Sequence, residues 1–281
     1  MGFSRISTKK GGVKVIERRG NRLKGIINEK LTDDLNPDQW RREGNLYEVL
    51  RIVDGVPLFL KEHLERLESG GGKLDHRSVA DSLRLLISTV ASDVSQNVFI
   101  SIEPESGQLA LFFIDSFYPP IEWYLRGVPV GLLKIRRKDP SKKVYDSKYK
   151  QTISNYLAMT GYFETLISDD GLIREGSRSN VFFIQNDFLI TPSISEALPG
   201  ITRKMVLKAV DNVGGKLVER PISVEEIADF DGAFITGTSI DLLPVSRIEE
   251  ICLESATNPY FKQYQAAYAA LKKEDLCRYA W

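Results

Sequence analysis

Two-residue turn signals set between apolar runs are the strongest constraint on how this chain folds. Asp54-Gly55 separates Asn45–Val53 from Val56–Leu60, and Asn186-Asp187 separates Val181–Gln185 from Phe188–Thr191. Such dipeptides accept the backbone conformation that tight antiparallel hairpins require. Antiparallel strand pairs are therefore expected in both halves. Helical spacing recurs between them. Lys61–Glu68 reads as a helix broken by Gly70-Gly71-Gly72, and Ser78–Val90 repeats Val79, Leu83, Leu85, Leu86 and Val90. Ser147–Thr160, Thr202–Val213 (closed by Gly214-Gly215) and Tyr260–Lys272 also read as helices. Asn97–Ile102, Gln108–Ile114, Val130–Arg137, Glu164–Ser168 and Gly232–Thr236 read as further strands. Strands and helices mixed in both halves, without a regular βαβ repeat, predict an α+β (mixed α/β) fold. The Phe117-Tyr118-Pro119-Pro120 break predicts a linker between a smaller N-terminal α/β domain, 1–119, and a larger C-terminal domain, 120–281.

Composition narrows the partners. Lys plus Arg and Asp plus Glu both number 38, so no net charge favours nucleic acid or an anionic membrane. The opening is locally basic (Lys9, Lys10, Lys14, Arg18, Arg19, Arg22, Lys24) but lacks the apolar core of a signal peptide. It reads as a solvated surface segment. No apolar run is long enough to cross a bilayer. Cys252 and Cys277 make no disulfide framework, and the two histidines are too far apart for a metal motif. A cytoplasmic protein without a metal is the expectation.

The run Glu175-Gly176-Ser177-Arg178-Ser179-Asn180-Val181-Phe182 reads E-G-x-x-x-N-x-F. Upstream lies Asp139-Pro140-Ser141-Lys142-Lys143-Val144, with Lys148 and Lys150 close behind. His63-Leu64-Glu65-Arg66-Leu67 reads H-x-x-R-L, and Leu198-Pro199-Gly200-Ile201-Thr202-Arg203 is a glycine-bearing turn running into a helix. Its first backbone N–H groups, those of Ile201 and Thr202, suit an anion, and the Thr202 hydroxyl is placed to cap the helix. Thr236-Gly237-Thr238-Ser239 precedes Pro244-Val245, and Asn45-Leu46-Tyr47-Glu48-Val49 opens the first hairpin.

In their order along the chain the motifs resemble the class IV aminotransferases, the family of branched-chain and D-amino-acid aminotransferases and aminodeoxychorismate lyase. The resemblance runs from Tyr47 to Val245. It implies a two-domain class IV fold, pyridoxal 5′-phosphate (PLP) between the domains, and a homodimer. By the same resemblance the aldehyde of PLP is held as a Schiff base on a lysine. Lys143 stands 32 residues before Glu175, an interval similar to that of D-amino-acid aminotransferases, and is assigned that role, with Lys148 as the alternative. Glu175 would face the ring nitrogen. Arg66, the Ile201 and Thr202 amides and Thr238 would hold the phosphate. Tyr47 and Ser239 would meet the substrate, although Tyr47 also suits a plain half-buried strand position.

The substrate signatures of the named members are not met. Ser101-Ile102-Glu103-Pro104 carries no arginine where D-amino-acid aminotransferases place one for the substrate carboxylate, and Tyr149 is one place off the branched-chain register. The resemblance implies amino-group transfer between an amino acid and a 2-oxo acid. A lyase releasing pyruvate from aminodeoxychorismate is the alternative, and a catalytically silent PLP-binding protein the third reading.

Overall fold

The computed structural model describes residues 21–278, apart from 92 and 94. Lys9, Lys10, Lys14, Arg18 and Arg19 of the basic opening lie outside the described residues. Arg22 and Lys24 lie within them and pair with Asp34 and Asp33, each at 3.6 Å. They belong to a hairpin, β1 (Leu23–Ile27) and β2 (Lys30–Leu35), turning through Asn28 and Glu29 at positive φ. The sequence pattern did not mark this hairpin as strand.

The first sheet is antiparallel throughout. Its other strands are β3 (Leu46–Val53), β4 (Val56–Pro57), β5 (Gln96–Ile102) and β6 (Leu109–Ile114), in the order β2-β1-β6-β5-β3-β4. Asp54 and Gly55, at φ 48° and 80°, form the expected two-residue turn. The returning strand is shorter than Val56–Leu60, because Phe59 turns left-handed (φ 54°) and α1 (Leu60–Ser69) starts at Leu60. α1 and α2 (His76–Ile87) lay Leu64, Leu67, Val79, Leu83 and Leu86 on one face, against Leu50, Ile52, Val98 and Ile100. The opposite face carries Tyr47, Phe99 and Phe112. Strand alternation thus sends the adjacent Tyr47 and Glu48 to opposite sides of β3.

The second sheet is mixed. Its members are β7 (Val128–Lys134), β8 (Glu164–Asp169), β9 (Leu172–Gly176), β10 (Asn180–Gln185), β11 (Phe188–Thr191), β12 (Lys216–Glu219), β13 (Ile222–Ser223), β14 (Gly232–Gly237), β15 (Asp241–Ile248) and β16 (Ile251–Cys252). The order is β12-β11-β10-β14-β15-β7-β8-β9-β13, with β16 on β15. α5 (Ile201–Asn212) and α6 (Pro259–Arg278) cover one face through Met205, Val206, Phe261 and Tyr264, over the stacked Phe182 and Phe234. Short α3 (Ile121–Arg126) follows the Pro119-Pro120 break, and α4 (Ser147–Thr160) makes the crossover between the parallel β7 and β8. The mixed α/β expectation holds. β7 ends at Lys134, so Arg137 stands beyond the strand that Val130–Arg137 had suggested.

Candidate active site

The N-terminal half of β3 has a free edge, because β4 reaches only Ile52 and Val53. Residues 143–145 fill it. The Tyr47 N–H donates to the Lys143 carbonyl at 3.0 Å, Leu46 and Val144 form an antiparallel bridge, and the Tyr145 N–H donates to the Asn45 carbonyl at 2.9 Å. A loop segment is thereby fixed by main-chain bonds, as any extended chain can be at an open sheet edge. This graft carries the Lys143 amine to 4.8 Å from the Tyr47 ring centroid. Desolvation lowers the Lys143 pKa, although the Tyr47 hydroxyl pulls the other way. The Tyr47 ring is held by stacking on Phe99 at 5.2 Å. Lys148 is exposed and lies away from the cavity, whereas the half-buried Lys150 lines it.

Glu175 is the next-to-last residue of β9, with its carboxylate buried. Oε2 accepts the Leu198 N–H at 3.0 Å, and Oε1 stands 3.0 Å from Arg137 Nε, at ion-pair distance but off the line of the N–H bond. Burial raises the Glu175 pKa, and Arg137 only partly offsets it. Asn180, at the other end of the signature, donates to the Leu198 carbonyl at 2.9 Å. Glu175 and Asn180 therefore grip the N–H and C=O of one residue, which sets the turn leading to α5. The intervening bend closes on buried Glu164, whose carboxylate accepts from the Ser177 hydroxyl, the Ser179 hydroxyl at 3.0 Å and the Thr165 N–H at 2.9 Å. A Cβ on Gly176 would come within 1.9 Å of Ser179 Oγ and 3.2 Å of its carbonyl oxygen, so a larger residue here would displace the Ser179 hydroxyl from Glu164.

At the far end of the cavity, Arg66 is oriented by Glu48. Its Nε and Nη2 each donate to that carboxylate at 2.6 Å, and Nη1 donates to the Pro199 carbonyl at 3.0 Å. Of five guanidinium N–H groups, two stay available to an anion. Burial would raise the Glu48 carboxyl, but Arg66 and His63 reverse this and hold it at about 2. His63 Nδ1 meets Glu48 Oε2 at 2.8 Å, which makes the histidine a support for the arginine. α5 begins at Ile201 with Gly200 as its N-cap and no side-chain cap bond. The capping role read for Thr202 is thus corrected: Thr202 sits inside the first turn, where the leading amides lack intrahelical acceptors. Buried Thr236, near the end of β14, keeps a hydroxyl with no partner among the described residues, and Thr238 lies on the turn that follows the strand.

These groups share one cavity of about 460 Å³, lined by Tyr47, Arg66, Lys143, Glu175, Ile201, Thr202 and Thr238 among others. Ser239 is not in the lining, and its hydroxyl accepts from Asn97 Nδ2 at 2.7 Å. Residues 45–248 match the model of the family described as amino-transferase class IV. The chain belongs to the class IV aminotransferases. It is accordingly an enzyme of the transferase class. A Thermotoga maritima protein named "Probable branched-chain-amino-acid aminotransferase" is 29% identical over 218 residues, covering 74% of this chain and 78% of its own. A Rickettsia typhi protein of the same name is 26% identical over 250 residues, covering 78% and 86%. The Escherichia coli branched-chain amino acid aminotransferase structure superimposes with a TM-score of 0.73 at 21% identity, over 89% of this chain and 94% of that one. The PLP-bound form of a hypothetical aminotransferase from Mycobacterium tuberculosis gives 0.74 at 17% identity, over 90% and 99%.

Several residues that shape this class IV cavity were not legible beforehand. Arg137 and Lys150 belong to a lysine- and arginine-rich stretch in which nothing local separates an inward side chain from a solvated one. Glu48 and Glu164 sit on strands at positions that alternation alone would give to apolar residues. A carboxylate inside a strand pattern is the one signal that singles them out.

Proposed function

We propose that this protein is a PLP-dependent aminotransferase moving an amino group between an amino acid and a 2-oxo acid. The observation that carries the reading is that a half-buried lysine amine, a buried carboxylate and an arginine with spare N–H groups open into one cavity. The donor set fits the cofactor. Arg66, the first-turn amides of α5, Thr238 and the unpartnered Thr236 hydroxyl suit a phosphate dianion. Lys143 suits the aldehyde, and Glu175 the ring nitrogen. When bound, PLP supplies the electron sink that makes the substrate Cα–H acidic.

The chain's own residues supply the rest. Lys143, once released from the cofactor, is the base that moves the proton from Cα; its lowered pKa leaves more of the amine unprotonated for that step. Glu175, fixed by Leu198 and faced by Arg137, would meet the ring nitrogen, whose positive charge would favour the carboxylate form that burial disfavours. Tyr47 bounds the substrate side, while Ser239 stays outside the lining on Asn97. The names of the relatives support an aliphatic amino acid as substrate. The reading includes a homodimer, and two domains that meet near Pro119 with the cofactor between them.

The test is uptake of PLP by the purified protein, followed by a panel of L- and D-amino acids with 2-oxo acid acceptors. Borohydride treatment is expected to fix the cofactor to residue 143, located by mass spectrometry. Lys143→Ala is expected to lose at least about 10²-fold in turnover. Attachment at another lysine, or full turnover by the variant, would overturn the assignment. Pyruvate release from aminodeoxychorismate without an acceptor would replace the transferase reading.

A further inference from the structure

Two amines, not one, face Tyr47. The Lys150 ammonium, from the first turn of α4, stands 4.8 Å from the Tyr47 ring centroid and 5.0 Å from that of Tyr145. Lys143 also stands 4.8 Å from the Tyr47 centroid, so the two amines are separated by at most twice that distance. Lys143 has a role in the reading above. Lys150 has none.

The surroundings of Lys150 are incomplete. It is half-buried, and among the described residues it has no carboxylate within ion-pair distance. The acids that line the cavity are engaged elsewhere. Glu43 accepts from the Ser147 N–H at 3.0 Å, Asp139 from the Ser141 N–H at 3.1 Å, Asp146 from the Tyr149 N–H at 2.8 Å, and Glu175 is taken by Arg137 and Leu198. The polar partner of Lys150 is the Tyr47 hydroxyl, and an ammonium withdrawn from water and faced by aromatic rings gains further from a carboxylate, which no described residue brings to ion-pair distance. The phosphate end has its own donors, at Arg66 beside Pro199 and the start of α5. The other lysines of the lining, Lys138 and Lys142, are exposed and screened by solvent.

An α-amino acid brings its carboxylate to within two bonds of the nitrogen that reacts. A cation receiving it must therefore lie within one small molecule's reach of Lys143. The residues Ser101-Ile102-Glu103-Pro104 provide no such cation, and they do not line the cavity. Building on the aminotransferase reading, we infer that Lys150, together with the Tyr47 hydroxyl, receives the α-carboxylate of the amino-acid substrate. Lys150 is then a specificity-determining residue that selects α-amino acids over simple amines. The depressed Tyr47 phenol, brought to about 8 by the same two lysines, is in keeping with a cationic pocket awaiting an anion.

The test uses the PLP-loaded protein and 4-methylpentanoate, an unreactive carboxylic acid, with its affinity measured by calorimetry. Lys150→Gln is expected to weaken binding by about ten- to a hundred-fold, the scale of one lost charge-assisted hydrogen bond. It should raise KM for α-amino acids by a similar factor with a smaller change in kcat, and leave KM for the matching primary amine unchanged. Lys150→Arg is expected to restore most of the affinity. Lys148→Gln, which removes an exposed charge from the same helix, should stay within about twofold of the parent. Unchanged carboxylate affinity in Lys150→Gln, with normal cofactor uptake, would overturn the Lys150 assignment alone. Weakened PLP binding with unchanged carboxylate affinity would reassign Lys150 to the phosphate. Wild-type protein that takes up no PLP would overturn the cofactor reading and this inference with it.

Discussion

A buried phenol ordinarily holds its proton more tightly than a solvated one, because the phenolate loses its hydration. Burial acts in that direction at Tyr47. The Lys143 and Lys150 ammonium groups outweigh it, and the pKa falls to about 8. The other tyrosines with resolved shifts move upward, Tyr149 to about 12 and Tyr118, Tyr124, Tyr156, Tyr162, Tyr264 and Tyr268 also above the ordinary value. One tyrosine should therefore titrate apart from the rest. In the cofactor-free protein, ultraviolet titration is expected to show a single tyrosinate forming with a midpoint near 8. Tyr47→Phe should abolish that step and Lys150→Gln should move it upward; a curve without a separate early step would contradict the two-lysine arrangement. Because the folded pKa lies below the unfolded one, Tyr47 contributes nothing to stability below about pH 8. Its contribution grows as pH rises from there towards the unfolded value. This behaviour was not legible in the sequence. Tyr47 reads locally as an aromatic on a strand, and the two lysines that change it follow about 100 residues later.

At the scale of elements, local signals served well where the element is fixed locally. Asp54-Gly55 and Asn186-Asp187 are turns, the second with Asn186 at φ 54° and Gln185 paired to Phe188. α4 begins at the Asp146 cap and ends at Gly161, which is left-handed (φ 73°). Local signals failed where tertiary pairing decides. β15 contains Pro244, which argues against a central strand. It is tolerated because the β7 ladder starts only at Val245 and is irregular from there to Arg247. The start of α5 depends on a similar non-local fit. A Cβ on Gly200 would approach Asn180 Oδ1 to 2.0 Å, although its φ of −64° would suit any residue. Gly200→Ala is therefore expected to be a steric, not a conformational, lesion. It should cost about 1–3 kcal/mol in chemical denaturation and weaken PLP uptake by displacing the first amides of α5. Adding Asn180→Ala should return part of that loss, since the two side chains compete for one space. Strict additivity of the two losses would show that the contact is not the cause.

Across the whole molecule, a small set of long-range bonds ties the two sheets together beside the cavity. Asn97 of β5 donates to Ser239, Arg66 of α1 to the Pro199 carbonyl, and the Phe59 N–H to Asp275 of α6 at 2.6 Å. The densest of these joints is at Asp241. Its carboxylate receives Arg51 of β3 at 3.0 Å, Lys272 of α6 at 2.8 Å and the Tyr268 hydroxyl at 3.1 Å. Asp241 also follows the Thr238-Ser239 turn by a few residues and is itself left-handed, at φ 48°. Nothing near any of these residues in sequence names its partner, since Arg51 and Asp241 lie 190 positions apart. The motifs were legible, but the joint that holds them in one cavity was not. Asp241→Asn separates the two demands on this position. Asparagine tolerates the left-handed backbone, so a loss in the variant reports the missing charge. With the carboxylate neutralised, Arg51 and Lys272 face each other without a counter-ion. Because all three side chains keep some solvent contact, the expected cost is about 1–3 kcal/mol, below that of breaking a fully buried pair. The same variant should weaken PLP binding several-fold, because the turn bearing Thr238 is anchored through this carboxylate. Unchanged denaturation midpoint and unchanged PLP affinity in Asp241→Asn would show that packing alone, through β14 and β15, holds the Thr238 side of the cavity in place.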